Sequence, residues 1–71
     1  MISKMYEIKI DPDTTFGELF DMEHWCHANL GYSAVDPLIL NSDYRWFIYH
    51  DSTGFTFYFF DDKDAVLFKL R

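Results

Sequence analysis

The stretch that most constrains the fold is residues 44–60, in which nine of seventeen residues are aromatic. Two runs rich in aromatic and β-branched residues flank residues 51–54, Asp-Ser-Thr-Gly, all of which favour turns. The pattern predicts a β-hairpin whose turn closes between His50 and Phe55. Four opposed pairs follow, and each pair shares one face of the hairpin: Trp46 with Phe59, Phe47 with Tyr58, Ile48 with Phe57, and Tyr49 with Thr56.

Both faces of this hairpin are apolar, whereas a hairpin in a two-layer domain normally alternates apolar and polar residues. One face carries Trp46, Ile48, His50, Phe55, Phe57 and Phe59, and the other carries Arg45, Phe47, Tyr49, Thr56, Tyr58 and Phe60. We expect Phe47, Tyr58 and Phe60 to form the layer beneath the helices. The face that carries Trp46, Phe57 and Phe59 would then lie away from the helices and would have to be covered by something else.

Three further elements surround the hairpin. Residues 5–10 alternate apolar and charged side chains, which predicts a strand with one wet face. Thr15 and Glu18 form a capping-box pattern and Gly31 is suited to a helix stop, so a helix is expected over residues 16–30. Acidic residues at 61–64 favour the start of a second helix that continues to Arg71.

The order strand, helix, hairpin, helix predicts an α+β fold, a two-layer βαββα sandwich of one domain spanning residues 1–71. A right-handed crossover leaves room for the third strand between the first two, giving a three-stranded antiparallel sheet of order 1-3-2 with the helices on one face. This arrangement is similar to a ferredoxin-like fold that lacks its last strand. The first strand is then an unprotected edge.

Helical periodicity predicts which side of the first helix faces the sheet. That side carries Phe16, Leu19, Phe20, Met22, Cys26 and Leu30. Trp25 falls on the polar side, and two alternatives stay open for it: residues 32–44 fold over it, or it is an exposed anchor for a partner. Residues 32–43 form either a covering loop or a short extra strand.

The net charge of −6 and the single cysteine limit the classes of function. An acidic surface opposes binding to nucleic-acid phosphates and to anionic lipid. No apolar run reaches the about 20 residues that span a bilayer, and Met1–Lys4 has no signal-peptide pattern. One cysteine cannot form an internal disulfide, so a cytoplasmic location is expected.

The one candidate metal cluster is His24, Cys26 and His27. On a helix Cys26 points away from His24, so the three side chains do not converge on one ion. Glu23 and His27 lie one turn apart and are expected to form a surface contact. Nothing nearby supplies an oxyanion donor or a phosphate loop, so the sequence predicts no enzyme activity, no cofactor, no metal and no small-molecule substrate.

Residues 54–60, followed by Asp64-Ala65, resemble the third strand and second helix of RNA-recognition-motif domains. Gly54, Phe55, Phe57 and Phe60 match that family's octamer. The resemblance implies that Phe55 and Phe57 stack on bases and that Phe60 points to the core. Thr53 replaces the family's basic residue, and the first strand lacks its companion aromatic motif; with the net charge, these departures argue against nucleic acid.

The C-terminal sequence FxFxFFDDKDAVLFKLR resembles the ends of small accessory proteins encoded by T4-like cyanophages. The resemblance covers the last strand and helix. It implies a small accessory protein that acts in the cytoplasm of a bacterial host, and no catalytic residues come with it.

These features predict a non-enzymatic interaction protein. The expected interaction surface consists of Trp46, Ile48, Phe55, Phe57, Phe59 and Trp25. Four alternatives stay open: a homodimer formed through that face or through the first-strand edge, docking on a host protein, binding of single-stranded nucleic acid, and a purely structural arrangement in which residues 32–43 cover the second sheet face.

Overall fold

The computed structural model describes residues 5–36 and 39–71. Its elements are β1 (Tyr6–Lys9), α1 (Phe16–Leu30), β2 (Trp46–Asp51), β3 (Gly54–Phe59) and α2 (Asp62–Leu70). The prediction about a signal peptide falls on Met1–Lys4, outside the described residues. Pro37 and Leu38, in the segment predicted to be a covering loop or an extra strand, also lie outside them.

The three strands form an antiparallel sheet of order β1-β3-β2. The predicted α+β fold and strand order are therefore confirmed. All four predicted hairpin pairs are present, and the register continues to Asp51 opposite Gly54. The turn between the two strands therefore has two residues, Ser52 and Thr53, instead of the predicted four. Gly54, which follows the turn, has a φ of 127°, a conformation that favours glycine.

The helix ends follow the predicted chemistry. The Thr15 backbone N–H donates to Glu18 Oε1 (3.3 Å), and the Glu18 N–H donates to Thr15 Oγ1 (3.2 Å), which completes the capping box. At α2, the Lys63 N–H donates to Asp61 Oδ1 (3.1 Å). Both helices therefore begin at a side chain that satisfies an otherwise unpaired N–H.

The core lies between the two helices and one face of the sheet. Phe68 of α2 packs against Phe57 and Phe59, with ring centroids 4.7 and 5.1 Å apart. The His27 ring of α1 meets Trp46 edge-on at 5.1 Å. Each helix thus contributes a ring contact to the same face of the hairpin.

The buried stripe of α1 differs from the predicted one. Leu19, Cys26 and Leu30 are buried as expected, but Phe16 and Phe20 are exposed. The helix is turned so that Trp25 also packs against the core, because Phe68 provides a partner for it. The expected contact between Glu23 and His27 is not found among the ion pairs of residues 5–36 and 39–71; the His27 ring packs on Trp46 instead.

The segment after α1 contacts the start of β2. The Ala34 N–H donates to the Trp46 carbonyl oxygen (2.7 Å), and Trp46 Nε1 donates to the Gly31 carbonyl oxygen (2.9 Å). Residues 32–36 and 39–44 contain no strand. This part of the chain is therefore a loop that hydrogen-bonds to the outer edge of β2 at Trp46.

Candidate functional site

The face predicted to need an external cover is the core of the domain. Trp46 is 1% exposed, and Phe57 and Phe59 are 0% exposed. Both helices pack on these rings, so the prediction that they form an exposed interaction surface is wrong. The layer beneath the helices contains Trp46, Phe57 and Phe59 instead of Phe47, Tyr58 and Phe60.

The other predicted surface residues also belong to this side of the sheet. Ile48 and Phe55 are partly buried against the core, and the Phe55 ring stacks on His50 at 4.3 Å. Trp25 packs edge-on against Phe68, with ring centroids 5.9 Å apart. Trp25 is therefore covered by α2, which neither of its two predicted alternatives included.

The same burial corrects the residue roles implied by the RNA-recognition motif. Phe57 is fully buried beneath Phe68, and Phe55 lies on the same, helix-covered side. Neither ring is placed to stack on a base. Tyr58 is the β3 aromatic residue that points the other way, because successive strand residues alternate between faces.

The sheet face that the helices leave uncovered, here called the open face, has two rows of three residues. One row is Glu7, Tyr58 and Phe47, and the other is Lys9, Thr56 and Tyr49. Charges therefore lie on β1 and aromatic rings on β2 and the centre of the sheet. Tyr49 is 43% exposed, and the Phe47 and Tyr58 rings lie 6.1 Å apart.

The Tyr58 hydroxyl stays protonated at neutral pH. Partial burial raises the pKa of Tyr58 above its usual value, and the negative charge of Glu7 raises it further. The centre of the open face thus offers an apolar ring with a neutral polar tip.

Two carboxylates, one in the hairpin turn and one at the start of α2, accept hydrogen bonds from residues close to them in the sequence. Hydrogen bonds from the Thr53 hydroxyl and backbone N–H lower the pKa of Asp51, and the Lys63 N–H lowers the pKa of Asp61. Asp51 also borders a cavity of about 380 Å³ between the hairpin turn and the start of α1. Because its carboxylate is engaged in the turn, we assign Asp51 a structural role.

Arg45 and Asp64 form an ion pair that joins the start of β2 to the first turn of α2. Arg45 Nε and Nη2 donate to the two carboxylate oxygens of Asp64 at 2.9 and 2.7 Å. The Asp64 side chain is 3% exposed and that of Arg45 is 39% exposed. The hydrogen bonds that Arg45 donates to the Asp64 carboxylate raise the pKa of Arg45 above its usual value.

The three residues of the candidate metal cluster on α1 differ in burial. Cys26 is fully buried, whereas His24 and His27 are exposed. Within the described ranges, no group of three or more His, Cys, Asp or Glu side chains is arranged to hold a metal ion. Burial raises the pKa of Cys26 to about 12; the positive charge of Arg71 opposes this shift, and the negative charge of Glu23 adds to it.

We expect the Cys26 thiol to be unreactive in the folded protein. A thiol with a pKa of about 12 is protonated at pH 8 and, at 0% exposure, has no contact with reagent. A colorimetric disulfide reagent should therefore give no fast reaction in buffer and one equivalent of reaction in urea. Stoichiometric labelling of the folded protein would contradict the burial of this side chain.

Comparison with protein-family models, curated protein sequences and solved structures gives no match. The resemblances to RNA-recognition-motif domains and to cyanophage accessory proteins therefore stay predictions. In the part of the chain that the structure describes, neither helix is long and apolar enough to cross a membrane.

Proposed function

We propose that this protein is a non-enzymatic interaction module that binds a protein partner through the open face. The observation that supports this most directly is the aromatic group of Phe47, Tyr49 and Tyr58 on the sheet face opposite α1 and α2. Tyrosine is over-represented among the residues that dominate protein interfaces, because one side chain supplies a large apolar area and a hydrogen-bonding hydroxyl.

The sheet also lowers the cost of using these rings for binding. Their backbone is fixed by ladder hydrogen bonds on β2 and β3, and the opposite side of β3 is packed against Phe68. A preorganised surface loses less conformational entropy when it binds. Glu7 and Lys9 border the rings, as charged residues do at the rim of many interfaces.

Charge favours a protein over nucleic acid as the partner. Rings on an open sheet face can also stack on the bases of a single strand. Phosphate neutralisation supplies much of the affinity in such complexes, however, and this chain carries a net charge of −6. Single-stranded nucleic acid is therefore the alternative, and a cellular protein with a neutral or basic surface is the favoured partner.

The resemblance of the C-terminal residues to cyanophage accessory proteins fits this role. Docking on a protein of the host needs no catalytic groups. On this proposal the partner is a host protein of the cytoplasm.

The test is affinity capture with Tyr49→Ala and Tyr58→Ala, using Tyr32→Ala as the matched control. Tyr32 is 80% exposed and lies in the loop after α1, and it is not one of the open-face residues. Truncating a central interface residue costs about 2 kcal/mol or more, equivalent to about thirtyfold in affinity. We expect the open-face variants, folded by circular dichroism, to lose a partner that wild type and Tyr32→Ala retain.

Retention of that partner by both open-face variants would contradict the proposal. A titration with a single-stranded oligonucleotide at low salt separates the alternative. Binding that weakens with salt and with Tyr58→Ala would support nucleic acid as the ligand, and the absence of any binding would exclude it.

A further inference from the structure

The outer edge of β1 exposes an ordered set of backbone groups. The Ile10 N–H donates to the Phe55 carbonyl oxygen (3.0 Å), and the register places Ile8 opposite Phe57. In an antiparallel ladder, the residues that bond to the partner strand alternate with residues whose N–H and C=O point away. The backbone groups of Glu7 and Lys9 therefore point away from β3.

The outer edges of β1 and β2 differ in their hydrogen bonding. At β2, the Ala34 N–H donates a hydrogen bond to the Trp46 carbonyl oxygen, which points away from β3. At β1, β3 is the only strand paired with it among the segments that the structure describes. The side chains of Glu7 and Lys9 are also exposed. An unprotected edge is a template for another strand.

We propose that β1 pairs antiparallel with β1 of a second copy, around a two-fold axis at Ile8. In this register Glu7 lies opposite Lys9 of the second copy, and Lys9 lies opposite its Glu7. Both residues carry outward backbone groups, so each opposed pair exchanges two hydrogen bonds. The two side chains of each pair also have opposite charge and lie on the same face.

Other registers either place like charges opposite each other or pair backbone groups that are already hydrogen-bonded. Moving the axis to Glu7 places two carboxylates opposite each other, and moving it to Lys9 places two ammonium groups opposite each other. An axis between residues pairs an outward backbone group with one that is already bonded to β3. The sequence Glu-Ile-Lys is thus complementary to itself in one register, as a two-fold interface requires.

The proposal goes beyond the function proposed above, because it uses the backbone edge of β1 and the side chains of Glu7 and Lys9, which border the aromatic rings of the open face. Pairing joins two three-stranded sheets into one of six strands and brings the two open faces together on the same side. The strand is short, so the contact area is below that of a standard interface. We expect a reversible dimer that forms at micromolar concentrations.

Sedimentation velocity across a concentration series tests the register by charge exchange. Glu7→Lys places lysine opposite lysine, and Lys9→Glu places glutamate opposite glutamate. Each single variant should dimerise about tenfold or more weakly than wild type. An equimolar mixture of the two single variants should form a heterodimer, and the double variant Glu7→Lys/Lys9→Glu should dimerise as wild type does.

The matched control is Asp13→Lys, which makes a similar change of charge at an exposed residue outside β1. It should dimerise as wild type does, as should Tyr49→Ala, which separates this interface from the open face. A monomeric wild type at all concentrations would overturn the proposal. Dimerisation of Glu7→Lys at wild-type strength, or failure of the mixture to associate, would overturn it equally.

Discussion

Replacing Phe57 by alanine is expected to destabilise the fold by about 3–5 kcal/mol, because the ring is fully buried and leaves a cavity between the sheet and α2. A domain of 71 residues has a total free energy of unfolding of about 4–10 kcal/mol. The variant should therefore lose a large fraction of the total free energy of unfolding. Urea titration followed by circular dichroism measures the loss.

Phe47→Ala is the matched control for this prediction. It makes the same chemical change on the neighbouring strand, but the Phe47 ring is only half-buried on the open face. Its loss should be about 1–1.5 kcal/mol, in proportion to the apolar area involved. If Phe57→Ala does not fold at all, Phe57→Leu gives a smaller loss that is still measurable. Equal losses for Phe57→Ala and Phe47→Ala would contradict the assignment of the two faces.

The second large effect is expected at the ion pair between Arg45 and Asp64. Arg45→Met removes both hydrogen bonds to a carboxylate that is 3% exposed and leaves it without a charged partner. Hydrogen bonds to charged groups contribute about 1.5–3 kcal/mol, and the partial exposure of Arg45 keeps the cost toward the lower end. We expect Arg45→Met to lower the free energy of unfolding by about 2 kcal/mol.

A double-mutant cycle distinguishes the loss of the pair from the loss of either side chain. Arg45→Met/Asp64→Leu removes both charges, and the double variant should be more stable than the sum of the two single losses predicts. Recovery should be partial, because Asp64 also lies in the first turn of α2, where an acidic side chain is favourable. Strictly additive losses would show that the contact contributes little.

Much of the fold can be predicted from residues that are close together in the sequence. The capping box of Thr15 and Glu18, the helix stop at Gly31 and the hairpin register each depend on residues that are close in sequence, and each is confirmed. The strand order follows from the handedness of the crossover and is confirmed as well. These features need no knowledge of which side of the sheet the helices cover.

The location of the candidate site depends on which face of the sheet the helices cover. The hairpin sequence alone does not show which face that is. Both of its faces carry large aromatic rings, so local patterning leaves the choice open. The signal lies in the first strand: Ile8 is apolar and shares a face with Phe57, whereas Glu7 is charged and shares a face with Tyr58. Matching the wet face of β1 to the residues with hydroxyl groups would have assigned the two faces correctly.

Trp25 shows a second limit of sequence reasoning. Its place on the polar side of α1 follows from periodicity, but its partner is Phe68, which belongs to the other end of the chain. The packing of two helices against each other depends on their positions over the sheet. Periodicity within one helix does not contain that information, and the exposed positions of Phe16 and Phe20 have the same cause.

The pairing of β1 with β3 also has a consequence for folding kinetics. The hairpin joins two strands through a two-residue turn, whereas β1 reaches β3 from the opposite end of the sequence. Closing a long loop costs entropy before the contact forms, so such pairings slow folding. We therefore expect the hairpin to form first, with aromatic rings exposed on both sides. The interval before β1 joins it is when a refolding chain is most prone to aggregate.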